Sequence, residues 1–308
     1  MPPWLRPLEW YADHEVVLLP GVAERLDTAR RAVVLADGER VRYDELVIAT
    51  GSEPVRLPAL RGFENVQALR TFDDAARLRA AMSPGARLSV VGGGLIGLEV
   101  ASSARRAGVE VTVIEAAPGL LPRLGPAVGA RLASLHRADG VVLHVGAGVA
   151  AARGGTAGIE ELVLADGTRV VADHVVEAVG VRPAAGWFAD AGLDSHVYVA
   201  GDVTGGGHWD AAARQGAGVA RALLGLPAAP EAPPSFWSDQ LGLRLQCVGD
   251  PAGARAELVV DAEGRGFEAV YRRGGAVSAV LLAGRSAADL RAARRRLSPT
   301  PELERSAA

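Results

Sequence analysis

Two stretches of the chain carry one hydrophobic pattern. Residues 33–51 read VVLADGERVRYDELVIATG and residues 162–180 read LVLADGTRVVADHVVEAVG. Each alternates apolar and polar positions into an Asp-Gly pair, alternates out of it, and finishes on an apolar run that ends in glycine. The offset is 129 throughout: Asp37-Gly38 answers Asp166-Gly167, Arg40 answers Arg169, Asp44 answers Asp173 and Gly51 answers Gly180. Period-two alternation around Asp-Gly predicts a hairpin, and the third run predicts a further strand. Two copies predict two domains built on one plan.

Upstream of the second copy the pattern predicts a complete βαβ unit. Arg87–Val91 is a short apolar strand that runs into Gly92-Gly93-Gly94-Leu95-Ile96-Gly97. A helix to about Ala107 follows, then a strand over Val109–Ile114 that ends at Glu115, and a further helix over Pro126–Ala138. No such unit precedes the first copy, because the same offset would place its glycines before Met1. The pattern therefore predicts a first domain that lacks its N-terminal βαβ segment of ~30 residues. Residues 227–234 (PAAPEAPP) read as a linker. Beyond them Leu241–Val248, Ala256–Val260, Phe267–Tyr271 and Val277–Leu282 read as strands, Asp210–Leu224 and Ala287–Leu297 as helices. The expected fold class is α/β: an incomplete dinucleotide-binding domain over residues 1–70 and 181–229, a second over 71–180, and a small α+β domain over 230–308.

Composition narrows the chemistry. The 308 residues suffice for two or three domains and a buried core. A net charge of −3 offers no basic excess for nucleic acid. The six histidines are scattered, with no HExxH and no Cys/His cluster, so no metal site is expected. The start MPPWLRP has no apolar core of a signal peptide, and the most apolar stretch, Leu88–Ala101, is broken by four glycines and Glu99. A cytoplasmic protein away from membranes is expected. The single cysteine, Cys247, can form neither an internal disulfide nor a CxxC pair, and its alternating neighbours mark it as a small core residue.

The motif Gly92-x-Gly94-x-x-Gly97 carries the clearest chemistry. Gly92 permits the tight turn, Gly94 leaves room for a diphosphate against the backbone, and Gly97 allows close helix–sheet packing, while the helix N-terminus at Leu95 and Ile96 offers free amides. Glu115, 18 residues after Gly97, is placed to accept both ribose hydroxyls and to repel a 2′-phosphate, which favours NAD over NADP. Ala49-Thr50-Gly51 and its counterpart Ala178-Val179-Gly180 are either plain strand-to-loop turns or, as a pair, the small residues along two bound dinucleotides. Tyr198–Val203 ends a strand in Gly201-Asp202, where a carboxylate can accept from a polyol or cap a turn.

These segments together resemble the FAD-dependent, NADH-oxidising ferredoxin reductases of bacterial Rieske dioxygenase and haem monooxygenase systems. The matching stretches are LRPLEWYADH (5–14), YDELVIATGSEP (43–54), VVGGGLIGLEVA (90–101), VTVIE (111–115), VYVAGDV (197–203), HWDAAARQG (208–216) and PSFWSDQLGLRLQCVG (234–249). The resemblance implies a glutathione-reductase-like pair of domains, FAD and NAD as cofactors, and a [2Fe–2S] ferredoxin as partner. It implies that Asp202 binds the FAD ribitol, that Thr50 and Gly51 lie along the FAD, and that Glu99 sits on the nicotinamide side. Trp209, Phe236, Trp237 and Ser238 would lie by the flavin ring and the route to ferredoxin; for both tryptophans a plain core role is the alternative. Two departures go with it. The family's FAD fingerprint and the lysine that partners Glu99 are missing, and the stretch between Ala191-Gly192-Leu193 and His196-Val197-Tyr198 is shorter than in the family. The rival readings are a flavin-free NAD-binding remnant and an NADH reductase of a small-molecule acceptor. Arg291, Arg294, Arg295 and Arg296 form a cationic stretch suited to an acidic partner.

Overall fold

The computed structural model describes residues 4–155, 158–230 and 232–297. They fall into two compact units, one of residues up to 53 with 182–207 and 212–228, the other of 54–181 with 208–211 and 229 onward.

In the larger unit five parallel strands lie in the order Val66–Ala68, His174–Glu177, Arg87–Val91, Glu110–Glu115, Val142–Val145. The central strand is nearly all buried, which explains its unbroken apolar run. Helix Leu95–Arg106 follows it and helix Gly125–Ala138 leads into the strand at Val142. Helix Phe72–Ala81 opens on a capping box, in which Thr71 Oγ1 accepts from the Asp74 amide and Asp74 accepts from the Thr71 amide.

The repeat is visible in register. In the larger unit Leu162 faces Val170 and Val163 faces Arg169; in the smaller unit Val33 faces Val41 and Val34 faces Arg40. Both turns use one device. Gly38 and Gly167 take φ of +87° and +86°, and Asp37 and Asp166 each accept from the amide two residues on at 2.9 Å.

Residues 235–283 form an antiparallel sheet in the order Ser235–Gln240, Leu243–Gly249, Ala276–Ala283, Phe267–Arg273, Arg255–Val260. Its first strand went unmarked in the apolar pattern. The residues it turns inward are Ser238 and Gln240, 0% and 1% exposed, so polarity there disguises a buried face. Leu245, Cys247, Phe267 and Tyr271 of this sheet share one apolar core with Leu98 and Ala101 of the helix after the glycine turn. Cys247 is buried, and burial pushes its thiol pKa up to about 12. Helix Ala287–Leu297 packs Leu290 and Ala293 on Val280 and Leu282, and its Arg296 pairs with Glu268.

The smaller unit pairs Leu46–Ile48 in parallel with Val197–Val199. The amide of Leu46 also donates to the His196 carbonyl at 2.8 Å, so the short connection after Leu193 still delivers a strand in register. Leu26, Ile48 and Val203 form its buried core with Trp187 and Phe188 against them. Among the described residues no helix is long and apolar enough to cross a membrane, and no group of three His, Cys, Asp or Glu is placed to hold a metal ion.

Candidate functional site

The glycine turn lies at the carboxyl end of the central parallel strand, where α/β sheets bind nucleotides. Gly92 takes φ of +115°, and a Cβ there would fall 2.3 Å from the Ala178 carbonyl oxygen. A Cβ on Gly97 would fall 2.0 Å from the Gly92 oxygen. These two positions are closed by backbone. Gly94 differs, since a Cβ there would meet nothing within 4 Å, so this glycine borders open space. It is also the N-cap of helix Leu95–Arg106 and offers no side chain to the first turn, which leaves the Leu95 and Ile96 amides for an anion. Ile96 is exposed and Leu95 half-buried.

Glu115 closes the same pocket edge. One carboxylate oxygen accepts from the Gly93 amide at 2.6 Å and the other from the Ala117 amide at 2.7 Å. Two backbone donors orient the carboxylate without a cation, so its negative charge stays available to hydroxyl donors. Gly93 is a functional residue that the motif reading passed over. It donates to Glu115, and a Cβ on it would meet Leu120 at 2.6 Å and the Glu115 carboxylate at 3.1 Å. The open face at Gly94, the unpaired helix amides and the fixed acid fit the diphosphate and ribose of a dinucleotide. Val179 is half-buried and Gly180, at φ of +118°, is exposed beside them in sequence; the Gly180 carbonyl accepts from Val55 at 2.9 Å.

In the smaller unit Ala49-Thr50-Gly51 and Gly201-Asp202 follow the carboxyl ends of the two adjacent parallel strands. Gly51 and Gly201 both take left-handed φ, +73° and +83°. Ser52 Oγ donates to Asp202 at 3.4 Å, Gln215 accepts from the Gly201 amide at 2.7 Å, and Thr50 Oγ1 donates to the Ala184 carbonyl at 2.9 Å. A half-buried carboxylate at the exit of one strand, beside an exposed hydroxyl at the exit of the next, suits the polyol and ring of a flavin.

Glu99 lies in the first turns of the helix after the glycines and is half-buried. It accepts from Ser238 Oγ of the C-terminal sheet at 2.5 Å. Neither Trp209 nor Trp237 is core: they are 69% and 45% exposed and meet edge-to-face with ring centroids 5.8 Å apart. Beside them His208 stacks on Phe236 at 4.6 Å. The four rings form an aromatic surface at the start of the C-terminal sheet.

Comparison with known proteins bears on these sites. Residues 9–216 match the family model described as pyridine nucleotide-disulphide oxidoreductase, and residues 235–308 match the model described as reductase C-terminal. The chain is 38% identical over 289 residues to the ferredoxin–NAD(+) reductase component of the p-cumate 2,3-dioxygenase system of Pseudomonas putida, covering 85% of this chain and 71% of that protein. It is 34% identical over 300 residues to the ferredoxin–NAD(+) reductase subunit of the benzene 1,2-dioxygenase system of Pseudomonas putida, covering 88% and 73%. Among solved structures it superimposes on the covalent putidaredoxin reductase–putidaredoxin complex with a TM-score of 0.88 at 30% identity, covering 96% of this chain and 79% of that one.

Proposed function

Because the chain belongs to the pyridine nucleotide-disulphide oxidoreductase family, among the ferredoxin–NAD(+) reductase components of oxygenase systems, we propose that it takes electrons from NADH and passes them by way of FAD to a [2Fe–2S] ferredoxin that serves an oxygenase. The observation that carries the nucleotide half is the pairing of an open Gly94 with a Glu115 carboxylate held by two backbone amides. The family's name includes disulphide chemistry, but this chain has one cysteine, buried and with its pKa raised, so no thiol pair takes part.

The roles divide as follows. Gly92 and Gly97 shape the turn, while Gly94, Leu95 and Ile96 receive the NADH diphosphate, and Glu115 accepts the ribose hydroxyls. Val179 and Gly180 line the same strand end. Ala49, Thr50, Gly51, Gly201 and Asp202 hold the flavin, with Asp202 accepting from the ribitol. The flavin, when bound, supplies the step from a two-electron donor to a one-electron acceptor. Glu99 orients the nicotinamide side, and the aromatic surface of Trp209, Phe236 and Trp237 faces the route to the ferredoxin. Residues 1–70 with 181–229 are assigned to FAD, 71–180 to NAD, and 230–308 to the partner. The reaction runs in the cytoplasm, on the soluble NADH pool.

Two measurements test this reading. The FAD-loaded protein should reduce a [2Fe–2S] ferredoxin with NADH; reduction of small dyes without any reduction of ferredoxin would reject the partner. Glu115→Gln removes the charge that repels a 2′-phosphate, so the ratio of NADPH to NADH dissociation constants should fall about tenfold, or about 1.4 kcal/mol. An unchanged ratio would reject the role of Glu115.

A further inference from the structure

Glu99 does not stand alone. Ser238 Oγ donates to its Oε1 at 2.5 Å, Gln240 Nε2 donates to Ser238 Oγ at 3.1 Å, and Gln240 Oε1 lies 2.9 Å from His136 Nε2. Four side chains from three elements thus form one line: helix Gly125–Ala138, strand Ser235–Gln240 and helix Leu95–Arg106. His136, Ser238 and Gln240 are all 1% exposed or less, and only Glu99 reaches toward solvent. One residue on, the Leu241 amide donates to Ser102 Oγ at 2.6 Å, which pins the strand to the same helix.

The line has one consistent direction. Burial holds the His136 imidazole below its ordinary range, so the ring is neutral and carries one N–H. Its Nδ1 makes no hydrogen bond among the described residues. A buried N–H without an acceptor costs more than a buried lone pair without a donor, so the proton belongs on Nε2. His136 then donates to the Gln240 carbonyl, the Gln240 amide donates to Ser238, and Ser238 donates to Glu99. Every donor points toward the carboxylate, and each bond polarises the next.

A chain of this kind is more than packing. The surrounding core is apolar, and polar groups are kept in such a place only where each is satisfied and its geometry matters. Its one outlet is a carboxylate in the first turns of the nucleotide-binding helix. We propose that Ser238 is a positioning residue for the NADH site, fixing the Glu99 carboxylate through a one-way hydrogen-bond chain anchored at the buried His136. The C-terminal sheet, and not the nucleotide-binding unit by itself, sets the orientation of that acid. This rests on the reading of Glu99 as a nicotinamide-side residue.

The test compares Ser238→Ala, Ser238→Thr and Glu99→Ala in the FAD-loaded protein. Stopped-flow absorbance reports the rate constant for flavin reduction, titration reports the NADH dissociation constant, and ¹⁵N NMR reports the His136 ring nitrogens. Ser238→Ala should slow flavin reduction about 10-fold to 100-fold, as small misplacements of an orienting group do, while NADH affinity changes by less than roughly threefold. It should also shift His136 from a pure Nε2–H ring to a mixture of tautomers, because the Gln240 amide loses its acceptor and is free to turn. Ser238→Thr keeps the hydroxyl and should restore both signals. Ser238→Cys, of similar size with a weak donor, should fall between and serves if the alanine variant does not fold. Wild-type rates in Ser238→Ala with a slow Glu99→Ala would overturn the positioning role alone. Wild-type rates in Glu99→Ala would overturn the reading of Glu99 beneath it. An unmoved His136 spectrum in Ser238→Ala would show that the four groups are not coupled and would also overturn the proposal.

Discussion

Replacing Gly94 with alanine should separate nucleotide binding from folding. The residue sits at φ of −80° and ψ of −176°, an extended backbone that any amino acid adopts, and a Cβ would meet nothing within 4 Å. Alanine at this N-cap costs up to about 1 kcal/mol relative to glycine. Restriction of the unfolded chain returns roughly 0.4–1 kcal/mol, so the net change is about zero. Gly97 provides the contrast. Its Cβ would fall 2.0 Å from the Gly92 oxygen, and Gly92 is itself held against Ala178, so backbone must move; about 1–3 kcal/mol or more of stability should be lost. For the nucleotide the order reverses in meaning. A methyl group on Gly94 occupies the space through which a diphosphate approaches the Leu95 and Ile96 amides. Loss of two charge-assisted hydrogen bonds, each worth ~1.5–3 kcal/mol, weakens NADH binding by about 10²-fold to 10⁴-fold. Urea unfolding and NADH fluorescence titration measure the two quantities on the same preparation. Retention of NADH affinity within roughly threefold in Gly94→Ala, or a stability loss equal to that of Gly97→Ala, would refute the assignment of an open diphosphate cradle.

Three further outcomes follow from groups buried in the larger unit. His136 resists protonation in the folded state while its unfolded counterpart takes up a proton near pH 6.5, so the unfolded chain binds more protons below that value. Stability should therefore fall by up to about 1.4 kcal/mol per pH unit below ~6.5, and His136→Gln should flatten that slope in urea titrations. Cys247, with its pKa pushed up to about 12 by burial, should react with a disulfide reagent at pH 8 about 10³-fold more slowly than an exposed thiol, and unfolding in urea should abolish the difference. Glu177, 3% exposed, is held by the Arg56 guanidinium and by the Leu57 amide at 2.7 Å; Arg56→Met should cost about 3 kcal/mol, and adding Glu177→Val should recover most of it, whereas additive losses would show that the two groups are uncoupled.

The parts of the fold that sequence exposes best are those in which one periodicity serves one environment. The duplicated Asp-Gly hairpins are legible because each turn needs the same left-handed glycine and the same aspartate acceptor, and their registers keep the offset of 129 residue for residue. The βαβ unit is legible because its central strand is buried on both faces and its glycines are forced by backbone approaches of 2.0 and 2.3 Å. The helix after it carries its apolar face into a core shared with the C-terminal sheet, and nothing in its own period of 3.6 says which sheet will cover it. Strand Ser235–Gln240 was hidden for the opposite reason: its inward residues are a serine and a glutamine, which sequence patterns assign to solvent.

That same strand explains why half of the candidate site escaped a reading by motif. Glycine fingerprints report where a phosphate meets a backbone, because only absent side chains permit the approach. They report nothing about how a neighbouring acid is aimed, since its orientation depends on residues 139 positions away in the chain, as Ser238 is from Glu99. Gly93 shows the limit at short range as well. It falls between two motif glycines and reads as filler, yet it is the donor that holds Glu115, and it has room for no side chain. His136 shows it at long range: an isolated histidine in a helix gives no sign of function until burial strips its charge and a glutamine takes its one proton as a donor. The nucleotide is received by elements contiguous in sequence, whereas the acid beside it is aimed by a sheet that begins beyond the linker. A change in that sheet can therefore alter turnover without touching any residue of the dinucleotide fingerprint.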